Sequence, residues 1–141
     1  VTADAYLIPI AWSASFESGM PELDEEHRVL ATLYNDLVRA LTRRTSLILR
    51  HEFFETVETA AAAHFGNEER LLRKLGGTDV LNHINSHSRF LDDIARLRLA
   101  AAEEHALHDA AHVLRRWLIE HFHEDQVLFK ALRFHGKAPP D

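Results

Sequence analysis

The stretch FFETVETAAAAHFGNEERLLRKLGG, Phe53 to Gly77, decides how the rest of the chain is read. At a turn of about 100° per residue, Phe53, Val57, Ala60, Ala61, Leu71 and Leu75 fall on one stripe. The Gly76-Gly77 pair ends it, as glycine does just past a helix terminus. His64 and Glu68, one turn apart, lie inside that apolar stripe. His51 and Glu55 repeat the spacing on the opposite face, where water solvates them. This helix therefore aims an imidazole and a carboxylate at its own core.

The same reading yields three more helices. Asp24 is a good N-cap for a first helix that runs to about Leu41, and Thr45 or Ser46 caps the second. Thr78 caps a third, to about Ala101. A fourth spans roughly Leu107 to Phe134, with Gly136 and two prolines after it. No strand alternation competes with them. Short connections make neighbours antiparallel, so the predicted class is all-α, an up-down-up-down four-helix bundle. Residues 1–21 form an irregular arm whose Trp12 and Phe16 pack on the bundle, which covers about 22–135. The length of 141 residues suits one domain, 1–141, large enough for a core without staples. The chain begins at Val1, which reads as a processed start or an excision from a longer protein.

Composition narrows the function. The absence of cysteine rules out disulfides, thiolate metal sites and cysteine nucleophiles. A net charge of −6 argues against a nucleic-acid partner, which needs a basic face. The longest apolar stretch, Tyr6 to Trp12, contains Pro9 and is too short for membrane insertion. No secretory leader pattern appears, so the cytoplasm is the default setting. The count of 11 histidines raises the prior for a metal site, histidine being the commonest metal ligand.

Sorting those histidines by face gives the site. The first helix carries His27 among Leu23, Leu30, Ala31, Tyr34, Val38 and Leu41. On the third, His83 and His87 lie within the stripe Val80, Ile84, Leu91 and Ile94. The fourth centres His121 among Leu114, Trp117, Leu118, Leu128 and Leu132, with His108 and His112 across the helix. A lone inward histidine is more often a hydrogen-bonded core residue than a ligand. Chance alone would supply roughly one HxxxH and one HxxxE here, so neither motif is specific by itself. Five inward histidines and Glu68 together are another matter. Burying an ionised Glu68 among imidazoles with no cation costs several kcal/mol. A borderline divalent ion, which accepts imidazole and carboxylate, resolves the conflict.

With these residues in place the chain resembles the hemerythrin family, and within it the bacteriohemerythrins. HFGNEE (His64 to Glu69) is similar to the family's second-helix motif, and HINSH (His83 to His87) to its third-helix pair. WLIEH (Trp117 to His121) is similar to its fourth-helix approach. Asp24 with His27 looks like its first ligand segment, and Trp12, Phe16 and Gly19 look like its N-terminal arm. The resemblance implies a non-haem di-iron centre, Fe2+ or Fe3+, bridged by oxo or hydroxo. Carried over by position, His83, His87 and His121 hold one iron, His27 and His64 the other, and Glu68 bridges them. It further implies dioxygen bound at an open iron position, in a dry pocket lined by Leu30, Leu114 and Trp117. Nitric oxide and peroxide are the alternative ligands.

One position departs from the family pattern. The second bridging carboxylate is expected five residues after His121, and Gln126 stands there. Asp125, at i+4, shares the face of His121 on an ideal helix, whereas Gln126 points to the side. Asp125 is therefore expected to bridge; the rival reading leaves Gln126 as a neutral ligand or pocket wall. A second carboxylate lowers the net positive charge of two Fe(II) ions and hydroxide, which favours the oxidised, ligand-holding state. His123 and Glu124 read as peripheral. Lys130, Arg133 and Lys137 suit the negative end of the fourth helix.

Three functions stay open. The first is non-enzymatic oxygen binding for sensing, storage or delivery, with a fused or partner signalling domain as the natural receiver. The second is a di-iron redox enzyme, a peroxidase or nitric oxide reductase; only one ExxH, Glu120 to His123, is present, against the two of ferritin-like oxidases. The third is a bundle holding zinc or manganese without gas chemistry. His105, His108 and His112 read as a solvated face rather than a surface zinc site.

Overall fold

The computed structural model describes residues 7–42, 47–76, 80–100 and 104–134. Four helices follow a short 3-10 turn at Ala14–Phe16: α1 (Pro21–Thr42), α2 (Leu47–Leu75), α3 (Val80–Ala100) and α4 (Glu104–Phe134). α1 packs on α2 and α4, and α3 packs on the same two helices, which closes the bundle. Among the described residues no helix is long and apolar enough to cross a membrane. Thr45, Ser46, Gly77, Thr78, Ala101, Gly136 and Lys137 lie outside the described residues, as do the side chains of His51, His105, Leu107 and Arg133.

The start of α1 differs from the expectation. Asp24 does not cap the helix; Pro21 opens it, and the Asp24 backbone N–H already donates to the Met20 carbonyl at 2.9 Å. Proline suits the first helical position because it has no N–H to leave orphaned and its φ is preset. Asp24 instead reaches back, buried, to the arm. Its carboxylate accepts the Ser18 N–H and Oγ–H, both at 2.8 Å, and the Gly19 N–H at 3.3 Å. The helix α4 also starts three residues before the expected Leu107. The end of α2 agrees with the expectation. Gly76 takes φ 73°, and its N–H donates to the Leu72 carbonyl at 3.0 Å, a left-handed cap that glycine adopts without strain.

The arm is tied along its length. Asn35 grips Ile10 through both its amide groups, accepting the backbone N–H at 2.8 Å and donating to the carbonyl at 3.0 Å. The Ile8 carbonyl accepts from the Tyr34 hydroxyl and from Arg115 Nε. Trp12 and Phe16 then form a three-ring edge contact with Phe122 of α4, with centroids 5.4–5.5 Å apart. The sequence-derived stripes were too narrow. Leu37, Phe54, Phe65, Leu72, Phe90, Phe122 and Phe129 are all buried and fell outside them. A helix touching two neighbours buries a wider face than one aligned stripe.

The core comes in two parts. A large cluster includes Leu30, Ala61, Phe65, Phe90, Leu118 and Phe122; a smaller one holds Met20, Leu23, Leu72, Leu75 and Phe129. On every helix the inward histidines and carboxylates fall between a residue of the first cluster and a residue of the second. The polar groups thus form one layer across the bundle, sealed by hydrocarbon above and below.

Replacing Asp24 with alanine strands three donors near the arm, which predicts a loss of about 2–3 kcal/mol in urea unfolding of the metal-free protein. A loss below about 0.5 kcal/mol would mean that water satisfies those donors equally well.

Candidate metal centre

Seven side chains meet in the polar layer: His27 from α1, His64 and Glu68 from α2, His83 and His87 from α3, and His121 and Asp125 from α4. Their donor atoms form two overlapping groups. His27, His64, Glu68, His121 and Asp125 make one, and Glu68, His83, His87 and His121 the other, with all atoms of a group within 4.8 Å of one another. His121 belongs to both groups. All seven are buried except His83, at 10 % exposure.

The two carboxylates span the layer. Glu68 Oε2 lies 2.9 Å from His64 Nε2 and 3.4 Å from His121 Nε2, while its Oε1 faces His83 and His87. Asp125 does the same: Oδ2 is 2.9 Å from His27 and 3.0 Å from His121, and Oδ1 is 3.1 Å from His83. Each carboxylate therefore turns one oxygen to one set of imidazoles and one to the other. Gln126 is only half-buried.

These short distances are not ordinary hydrogen bonding. The Nε2 atoms of His27 and His121 approach His64 Nε2 at 2.9 and 3.0 Å, three ring nitrogens of which one pair at most shares a given proton. Glu68 Oε2, His87 Nε2 and both Asp125 oxygens have close neighbours, yet no hydrogen bond of acceptable geometry reaches them. Native interiors rarely leave such atoms unsatisfied. Donor atoms that converge on common points instead of on one another are what a cation requires. Neutral imidazole and carboxylate are also the ligand types that borderline divalent metals take. The residues fit a metal.

Two acids outside the layer support this. Glu26 Oε1 accepts from His64 Nδ1 at 2.7 Å, and Glu69 Oε2 accepts from His87 Nδ1 at 2.8 Å. With Nδ1–H held by an acid, a neutral ring presents the bare Nε2 lone pair inward, the arrangement seen at metal-binding histidines. Asn67 Nδ2 donates to the other Glu26 oxygen at 2.6 Å. Sequence reasoning missed both acids. They stand one residue from His27 and from Glu68, about 100° off the stripe, where the search for inward groups does not reach. A search for acids to hold each ligand's second nitrogen needs the helix rotations, which the sequence does not supply.

Aromatic rings close the sides. Phe65 stacks on His87 with centroids 3.9 Å apart, Trp117 stacks on His121 at 4.9 Å, and Phe122 tilts over His27 at 4.8 Å. Of the expected pocket residues, Leu30 and Leu114 are buried in the large apolar cluster and Trp117 lies against His121. His123 and Glu124 are exposed, and His108 and His112 are half-buried rather than fully solvated. A cleft of about 540 Å³ beside His112, Arg115 and Arg116 shares no residue with the centre.

Charge in the metal-free layer is balanced by protons. Burial opposes a charged His121, but Asp125 and Glu68 outweigh it and push its pKa up to about 10. Burial likewise opposes a charge on His83, and the same two carboxylates push it up to about 9. On Glu68 burial works to raise the pKa, yet the neighbouring imidazoles hold it well below its usual range. Burial also works against an ionised Asp125, and His121 nonetheless keeps its pKa lowered. His27 goes the other way: burial wins over Asp125 and lowers it. Burial opposes a charged His64 as well, and Glu26 and Glu68 outweigh it and raise its pKa, so protonated imidazoles offset the two carboxylates.

Metal binding must displace those protons, so Co(II) uptake near pH 7 should release about two protons per chain into a weakly buffered solution. Affinity should climb from neutral pH through about 9 and 10, where His83 and His121 lose their protons; a flat profile would show that the metal-free imidazoles carry none. For the metal-free fold the sign is fixed by the raised values. Their stabilisation is full below about 6.5 and is lost as pH rises through about 9 and 10. The lowered Glu68 and Asp125 contribute above the ordinary carboxylate range and lose that contribution as pH falls. Denaturation midpoints should therefore peak in mildly acidic to neutral solution and fall on the alkaline side.

Known proteins resemble this chain along most of its length. The "Hemerythrin-like protein" of Naegleria gruberi is 27 % identical over 124 residues, covering 88 % of this chain and 93 % of the relative. The "Hemerythrin-like protein" of Naegleria fowleri matches to the same extent. The "Bacteriohemerythrin" of Stenotrophomonas maltophilia (strain R551-3) is 26 % identical over 122 residues, 85 % of this chain and 78 % of the relative. Residues 18–133 match the family described as Hemerythrin HHE cation binding domain, a span that runs from the Ser18 anchor through all seven clustered side chains. A four-helix bundle with this histidine and carboxylate layer, matched over most of its length, belongs to the hemerythrin family.

Proposed function

We propose that this chain binds dioxygen reversibly at a non-haem di-iron centre. The observation that carries the proposal is the division of both carboxylates: Glu68 turns Oε2 to His64 and His121 and Oε1 to His83 and His87, while Asp125 turns Oδ2 to His27 and His121 and Oδ1 to His83. That is the disposition two metal ions need and one does not. On the family pattern His83, His87 and His121 would hold one iron and His27 and His64 the other, with Glu68 and Asp125 spanning both; His121, which belongs to both donor groups, here lies against the oxygens that face His64 and His27. The names and family of the relatives support iron as the metal.

When bound, the iron pair supplies the two electrons that reversible dioxygen capture draws on. The chain's own residues do the rest. Glu26 and Glu69 keep the His64 and His87 rings oriented. Asp125 and Glu68, both fully buried, offset the positive charge of the layer, and a lower net charge favours the oxidised, ligand-holding state. Leu30, Leu114 and Trp117 keep the pocket apolar, so a captured molecule leaves as it came instead of picking up protons. A set this rich in histidine favours binding over oxidative turnover.

Sensing is the use that one specific contact favours. His27 touches Phe122, which touches both Trp12 and Phe16 of the arm. A change at the centre thus has a packed route of three rings to the surface segment, where a fused or partner signalling domain would receive it.

The test is the optical spectrum of the Fe(II)-loaded protein, taken without oxygen, then in air, then after deoxygenation. A visible charge-transfer band that appears in air and fades on deoxygenation is the expected result. An irreversible band would point to redox turnover of peroxide or nitric oxide, and no iron-dependent band to a zinc or manganese bundle. Asp125→Ala should reduce iron content from about two ions per chain to about one, whereas Gln126→Ala should keep two. Full retention of both irons in Asp125→Ala would remove Asp125 from the centre.

A further inference from the structure

A centre sealed by hydrocarbon above and below still has to be filled and emptied. Phe65, Trp117 and Phe122 cover the flanks at His87, His121 and His27, and each stacks or tilts against the ring it covers. Of the seven clustered side chains six are at most 3 % exposed, and only His83 reaches 10 %. Over His83 lies a surface opening of about 350 Å³ between α3 and α4, lined by Asn82, His83, Ser86, Arg89, Glu124 and Leu128. Of the openings among the described residues, this one has a clustered side chain, His83, in its lining. Asn82, Ser86 and Glu124 bring oxygen atoms, the donors a hydrated divalent ion exchanges its waters for most readily. His83 Nε2, next inward, already faces oxygens of both bridging carboxylates. Oxygen donors at the opening, His83 in its lining and the two carboxylates behind it thus lie on one side of the centre.

We propose that this opening is the port through which divalent metal ions enter and leave, with Glu124 taking the ion first and His83 passing it inward. The file order explains why His83 is the ligand left partly exposed: it is the last to close over an arriving ion and the first to let go. Arg89, exposed at the rim, opposes cation entry and sets its rate. A port for anions would show the opposite charge dependence, since Arg89 would then help and Glu124 hinder. The inference rests on the cluster being a metal centre, and not on dioxygen being its ligand.

The experiment follows Co(II) uptake by the metal-free protein, read as the rise of its visible absorption, and Co(II) release to a chelator. Final stoichiometry is measured by elemental analysis. Glu124→Gln, an exposed change that leaves all seven clustered residues intact, should slow uptake about three- to tenfold, most strongly at low salt. Arg89→Gln should speed uptake by a similar factor of about three or more. Ser86→Trp, which fills the opening, should slow uptake and release together while the bound Co(II) reaches the wild-type amount. Uptake rates within about twofold of wild type in Glu124→Gln and Arg89→Gln, at full stoichiometry, would overturn the port. So would faster uptake in Glu124→Gln, which is the anion-port result. Failure of the wild-type protein to bind Co(II) at all would instead overturn the metal centre itself, so the two failures are distinct.

Discussion

Seven titratable side chains packed into one dry layer are the constraint on which the rest of this protein depends. Carboxylates and imidazoles do not enter a hydrocarbon interior singly; each charge left unmatched there costs several kcal/mol. The layer is tolerable because its charges cancel. In the metal-free state the protons on His83 and His121 balance Glu68 and Asp125, and in the metal-bound state the cations do. Proton and metal are thus alternative occupants of one electrostatic role.

Placement of the layer follows from how the helices pack. Each contributes an apolar residue above and another below its polar groups, so the two hydrophobic clusters clamp the site from both ends. The rings of Phe65, Trp117 and Phe122 close three flanks, and acids outside the layer fix the rings of His64 and His87. The remaining flank, at His83, is polar and open to solvent. A site enclosed by hydrocarbon and rings and open on one polar side holds its ligating groups away from bulk water. The arm adds a connection outward, because Trp12 and Phe16 pack against Phe122, the ring that covers His27.

Much of this was legible without coordinates. The inward set of five histidines and Glu68 followed from a single periodicity applied to four helices, because buried polar groups are conspicuous among apolar neighbours. Core residues on the second buried face of each helix, such as Phe54, Phe65, Phe90 and Phe122, were less legible. A stripe drawn for one helix alone has no knowledge of how many partners that helix touches. Asp24 was misread for a related reason. An acid in the first turn looks like a cap, and only the path of the preceding chain shows that its carboxylate is occupied by Ser18 and Gly19.

The choice between Asp125 and Gln126 marks the boundary between the two kinds of information. Sequence by itself determined the helices, the bundle and the identity of the inward histidines, since these depend on local periodicity and on the cost of burying polar groups. It also put Asp125 on the His121 face of an ideal helix. Whether that face meets the other helices' ligands depends on the rotation of α4 in the assembled bundle, which no local pattern encodes. Tertiary packing turned Asp125 fully inward, between His27, His83 and His121, and left Gln126 half-buried. The same packing chose which acids hold the histidine rings and which flank stays open. Those are relations between helices, and only the folded bundle has them.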